Sequence, residues 1–150
     1  MSFRILSNST SASSQPEDNV PLMKKIIDVN DEDITLTTKQ SGSIIRLNNA
    51  TLSRQITLPD PNVSAGVFYD FILTETTTAQ WAIGTNAGGN VAGVNVNPGA
   101  STENDTDSSK YDYNFVSGSV RGNTSHVLCD GYFWYFRGMA VVDGNLDFGT

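Results

Sequence analysis

HVLCDGYFWYFRGMAVVDGNLDFG, residues His126 to Gly149, holds two Asp-Gly pairs between runs of aromatic and β-branched residues. An Asp-Gly pair flanked by alternating apolar residues is a strong hairpin signal, because a type I′ turn needs positive φ at both central positions. The stretch predicts a three-stranded antiparallel meander that turns at Asp130-Gly131 and Asp143-Gly144, with Tyr132 to Arg137 as its middle strand. Alternation puts Tyr132, Trp134 and Phe136 on one face and Phe133 and Tyr135 on the other. Aromatics on both faces predict that both are covered, by a second sheet or by another subunit.

Upstream of the meander the same grammar recurs. Ile26, Ile27 and Val29 suggest a first strand. Ile34 and Leu36, then Ile56 and Leu58, alternate with polar residues and point inward. Val67 to Thr74 reads as a long aromatic strand, with Tyr69, Phe71 and Leu73 sharing one face and Phe68 and Ile72 the other. Trp81 to Thr85, Val91 to Val96 and the alternating Tyr111, Tyr113 and Phe115 supply further strands. Asn97 to Lys110 has almost no apolar side chain and reads as a long loop, the kind that is usually functional or mobile. About ten short strands separated by turns, with no window of helical period and no internal repeat, predict an all-β antiparallel sandwich or barrel, jelly-roll-like.

The totals agree. A chain of 150 residues suits one domain, here residues 23–150. Only 17% of it is charged, so Ser, Thr, Asn and Gly carry the polarity, which favours strands and turns over helices. The net charge is −7 with no basic patch, so no nucleic acid is expected as a partner. No apolar run follows Met1-Ser2-Phe3-Arg4, and none is long enough to span a membrane, so neither a signal peptide nor a membrane partner is expected. With Cys129 as the lone cysteine, no disulfide can form within the chain, and the residue reads as a small buried hydrophobe.

Residues 1–22 differ from the rest. Ser7 to Asn19 is almost wholly polar and cannot build a core. Its tip, Phe3-Arg4-Ile5-Leu6, carries three apolar side chains at the end of that tether. We read an extended N-terminal arm whose tip, Phe3, Arg4, Ile5 and Leu6, contacts a neighbouring subunit, adding a short strand or filling a pocket.

Two phrases carry a resemblance: SGSIIRLNNATLSRQITLPDP (Ser41 to Pro61) and HVLCDGYFWYFRGMA (His126 to Ala140). With Tyr69-Asp70-Phe71-Ile72 between them, they resemble a pattern of bacteriophage virion proteins, small all-β head decoration (cement) proteins and domains of tail-associated proteins. The order matches from Ser41 to Thr150, while the arm has no counterpart in the pattern. The resemblance implies a virion structural protein on the capsid surface, with the major capsid protein as partner and a homotrimer or homodimer as its state. These residues are mostly turn and core residues, which speak for a fold more than for a task.

No catalytic constellation accompanies this. His126 is the sole histidine and reads as a structural or surface residue, and no serine sits in a Gly-X-Ser-X-Gly elbow. Glu103, Asp105 and Asp107 lack the glycine and bidentate acid of a calcium loop, and read as solvated. Trp81, Trp134 and Tyr132 could floor a sugar site but read as core or subunit interface. The expectation is therefore no enzyme and no cofactor or metal. The alternative is a receptor- or glycan-binding module of a tail or head fibre, using the Asn97 to Lys110 loop and surface aromatics.

Overall fold

A computed structural model describes residues 23–86, 90–96, 112–142 and 144–149, and residues 103–110 as backbone. The arm tip (Phe3, Arg4, Ile5 and Leu6) lies outside the described residues. The protein is nearly all β. Its strands are β1 (Ile26–Val29), β2 (Ile34–Thr35), β3 (Ile44–Leu47), β4 (Arg54–Leu58), β5 (Phe68–Leu73) and β6 (Trp81–Thr85). They are followed by β7 (Val91–Val96), β8 (Glu103–Lys110), β9 (Asp112–Phe115), β10 (Thr124–Cys129), β11 (Trp134–Met139) and β12 (Leu146–Phe148). Two sheets form, a seven-stranded one in the order β1-β3-β5-β10-β11-β7-β8 and a five-stranded one in the order β12-β9-β6-β4-β2.

The architecture is sandwich-like, but its sheets are mixed rather than antiparallel. From β1 to β6 the chain changes sheet at every strand. Each strand then lies parallel to the one two places on: β1 on β3, β3 on β5, β2 on β4 and β4 on β6. The chain thus winds three turns of a two-sheet coil, an order different from the all-antiparallel jelly-roll expected. The coil has a visible seam. Asn30, Asn48 and Thr74 each follow the strand of one turn, and Asn48 donates to Asn30 while Thr74 donates to Asn48. Behind them Asn48 N donates to Val29 O (3.1 Å) and Thr74 N to Leu47 O (2.9 Å). Stacked polar side chains of this kind satisfy one another at each corner, as in other coils built of stacked turns.

The last third departs from the predicted meander. The hairpin at Asp130-Gly131 forms and joins β10 to β11, with Cys129 opposite Trp134. Four residues, Asp130 to Phe133, make its loop, longer than the two-residue turn expected. Gly131 takes φ +102°, and the Asp130 carboxylate accepts from Tyr132 N and Phe133 N, both at 2.8 Å. The middle strand begins at Trp134, not Tyr132, and its other neighbour is β7, in parallel. After β11 the chain crosses to the other sheet, where β12 pairs with β9. Among the described residues only one face of β11 is covered: Trp134 and Phe136 are buried, while Tyr135 faces out, and Tyr132 in the preceding loop is 72% exposed.

The segment 97–110 also differs from the loop expected, since Glu103–Lys110 is an edge strand paired antiparallel with β7. A strand at an edge is paired on one side only and tolerates the charged, Ser-rich sequence that a central strand would not.

Between the sheets lies an aromatic core. Tyr113 of β9 stacks on Phe136 of β11 across the sandwich, with centroids 4.5 Å apart and planes at 12°. Tyr69 stacks on Trp134 at 5.8 Å. Burying an indole or phenol favours a partner for its polar atom, and for three of the rings the crossovers provide it. Trp81 Nε1 donates to Asn48 O (3.0 Å), Trp134 Nε1 to Pro59 O (3.1 Å) and the Tyr69 hydroxyl to Thr37 O (2.8 Å). Gly138 of β11 admits Tyr113 by having no side chain, for a Cβ there would stand 1.8 Å from the Tyr113 hydroxyl. Burial pushes the Tyr113 pKa up, against a smaller opposing effect of Ser125. Cys129 is buried, as the sequence suggests, and burial raises its thiol pKa too.

Candidate interaction surface

Strand parity that sends Val29, Leu47, Tyr69, Phe71, Val127 and Phe136 inward must send their neighbours outward. Registers then line those neighbours up across the seven-stranded sheet. One outward row runs Ile26, Ile44, Asp70, His126, Arg137 and Val94. A second runs Asp28, Arg46, Ile72, Thr124, Met139 and Val96, and a third Phe68, Leu128, Tyr135 and Ala92. Ile26 (53%), Leu128 (43%) and Met139 (62%) are exposed on this face. A shallow depression of about 430 Å³ crosses it, floored by Ile44, Ile72, Thr124 and Met139 around Asp70, His126 and Arg137.

At the centre the charges are ordered. His126 Nδ1 lies 2.7 Å from Asp70 Oδ1, and Lys24 pairs with Asp70 Oδ2. Lys24 Nζ also sits 5.6 Å from the Phe68 ring centroid, and the Phe68 and His126 rings are 5.8 Å apart. Partial burial pushes the Asp70 pKa up, but the hydrogen bonds from Lys24 and His126 outweigh it and hold the carboxylate below its ordinary value. Arg46 and Asp28 pair at 3.2 Å in the neighbouring row. Among the described residues no Ser, Thr or Cys side chain hydrogen-bonds the His126 imidazole, so the His–Asp pair orients a ring without a nucleophile beside it. Nor do three His, Cys, Asp or Glu side chains converge as a metal site among the described residues. No described helix is long and apolar enough to cross a membrane.

The structure scatters the residues weighed from sequence. Trp81 and Trp134 are core; Tyr132 is a loop-tip residue at the surface. Glu103, Asp105 and Asp107 belong to strand β8, not to a loop. His126 stands at the surface as expected, but its pairing with Asp70 was hidden, because the sequence shows which face a residue takes and not which strand lies beside it. The one available signal was that Asp70 interrupts the aromatic run from Phe68 to Leu73 at an outward position.

A second concavity, of about 360 Å³, lies at the C-terminal ends of β2, β4 and β6. Thr35, Thr57, Asp60, Asn62, Asn86 and Asn90 are among the residues that line it. Asp60 is held there by accepting from Asn62 N at 2.9 Å. Asn90 has φ +64°, a conformation Asn tolerates better than most residues. No family model matches this chain, nor does any curated protein or solved structure.

Proposed function

We propose that the protein is a non-catalytic virion structural protein, a capsid decoration or cement protein. In this reading it binds the major capsid protein at capsomer junctions on the outer surface of the head, as a homotrimer or homodimer. The observation that supports it best is the outward face of the seven-stranded sheet: broad, carried on a rigid sandwich, apolar over much of its area and fixed at its centre by charge pairs. Such a face is suited to adhesion, since a rigid apolar centre with ordered polar groups is what stable interfaces use. Repetition of weak contacts around an oligomer would multiply their effect. The N-terminal arm, with Phe3, Arg4, Ile5 and Leu6 at its tip, would extend the contact to neighbouring subunits. The sequence resemblance points the same way.

The test is attachment to isolated capsids. A Leu128→Glu/Met139→Glu double variant changes only exposed positions. It should fold normally and lose occupancy on particles imaged by electron microscopy; undiminished occupancy would refute this face as the contact. The polar concavity at the ends of β2, β4 and β6 favours one further reading, a glycan-binding fibre module. Hydroxyls and amides that both donate and accept suit sugar hydroxyls, and binding on a glycan array with no affinity for capsids would support it over the first.

A further inference from the structure

The coil has an open end. Among the described residues, strands β3 and β5 each have a neighbour on both sides, whereas β1 is paired with β3 alone. Its inward residue Ile27 is only partly buried, unlike Ile45 and Phe71, which follow it in register toward the centre. An unpaired edge with a half-covered core residue is a template for one more strand.

The pattern of that missing strand can be read from its neighbours. At equivalent positions the sheet has Ile27-Asp28-Val29 and Ile45-Arg46-Leu47, inward apolar residues on either side of an outward charge, and the two charges pair. The arm tip offers Phe3-Arg4-Ile5, the same pattern with the charge opposite to Asp28. We infer that Phe3-Arg4-Ile5 of a second copy adds to β1 as a parallel strand, with Phe3 beside Ile27, Arg4 beside Asp28 and Ile5 beside Val29. The outward row would then read Arg4, Asp28, Arg46, alternating in sign, and Phe3 would close the core over Ile27.

The tether is long enough to bring a second copy within reach. Ser7 to Asn19 offers no inward pair of apolar residues for the five-stranded sheet, so it cannot wind another turn of this coil. Nineteen residues, Ser7 to Lys25, separate the tip from β1. They reach about 60 Å when extended, enough to carry the tip to the β1 edge of a neighbouring copy. The inference rests on the reading of residues 1–22 as an intersubunit arm. Its test reads pairing between copies and leaves capsid attachment as a separate measurement, so either can fail alone.

The experiment uses the full chain carrying Arg4→Cys and Asp28→Cys. Adjacent parallel strands bring paired residues within disulfide reach, and Cys129 is buried. Mild oxidation should give covalent dimers or larger oligomers on a non-reducing gel. Monomer alone, whether uncrosslinked or closed within one chain, would overturn the proposal. A second measurement avoids cysteine. Arg4→Asp should weaken self-association in sedimentation by about tenfold. Adding Asp28→Arg and Arg46→Asp inverts the whole row and should restore it; no recovery in the inverted chain, with its fold intact by circular dichroism, would sink the register.

Discussion

The two halves of the sandwich hold together differently. From β1 to β6 the chain coils, and the corners of successive turns stack. Their polar side chains bond from turn to turn: Asn30 to Asn48 to Thr74, Asn49 to Thr78 (3.0 Å from its N), and Asp31 to Thr51 and Arg54. From β7 to β12 a hairpin and antiparallel pairs return, alongside the parallel pair of β7 and β11. There the binding element is the ring cluster of Tyr113, Phe115, Phe136 and Phe148 reaching across the sheets. The comparison teaches that parallel neighbours bring corners into register, where directional bonds can be repeated. The second half relies more on what meets in the interior, its rings together with a buried Asn123–Asn145 pair.

If that division is right, substitutions should separate along it. The largest effect falls on the two buried tryptophans, one in each half. Trp81→Ala and Trp134→Ala should each cost about 3–5 kcal/mol in denaturant unfolding; a small loss at either would mean that its half contributes little to the core. Gly138→Ala comes next, because its methyl would collide with the Tyr113 hydroxyl. It should cost about 1–3 kcal/mol, and Gly138→Ala/Tyr113→Phe should recover only part of the loss, because the methyl would still crowd Asn95 Oδ1 (2.7 Å) and Leu146 Cδ1 (2.9 Å). Asn48→Ala removes the middle rung of the corner ladder, and about 1–2 kcal/mol is expected, with the loss of amide protection confined to the coil. Uniform loss of protection would erase the distinction between the halves.

The smallest effect is one of pH. Hydrogen bonds from Arg54, then from Thr51, hold the Asp31 carboxylate well below its ordinary range. A depressed folded pKa contributes stability above the unfolded value of about 3.9, and that contribution is lost as pH falls toward the folded value. Asp31→Asn should therefore lower the melting temperature modestly in the neutral region and flatten its acid limb below about pH 4, so that variant and parent converge in acid. Asp31 also has φ +49°, which Asn accepts, so the backbone should not confound the measurement.

Much of this was legible in the residues. The inward faces of β4 and β5, the Asp130-Gly131 turn and the absence of long helices among the described residues follow from alternation and turn chemistry. What alternation does not encode is adjacency. A strand that reads Tyr69, Phe71, Leu73 declares a buried face, but the same face serves a parallel or an antiparallel neighbour. The coil also hides as a repeat, because its turns differ in length: Ile26 pairs with Ile44, and Ile44 with Asp70. Strand β8 escaped because a polar edge strand lacks the apolar signal on which strand reading depends. The interaction surface was half legible. His126 could be placed outside, but its meeting with Asp70 and Lys24 depends on long-range register.

The alternation of strands between sheets bears on how this protein can be cut and built. A break at any crossover between β2 and β11 leaves both layers missing strands, so a contiguous fragment holds a whole layer only if it lacks no more than the first or the last strand, and neither half is expected to persist when expressed alone. The polypeptide must gather strands from across its length before either layer is complete. Partial digestion should therefore yield intact chains or small peptides, with no stable core fragment between them.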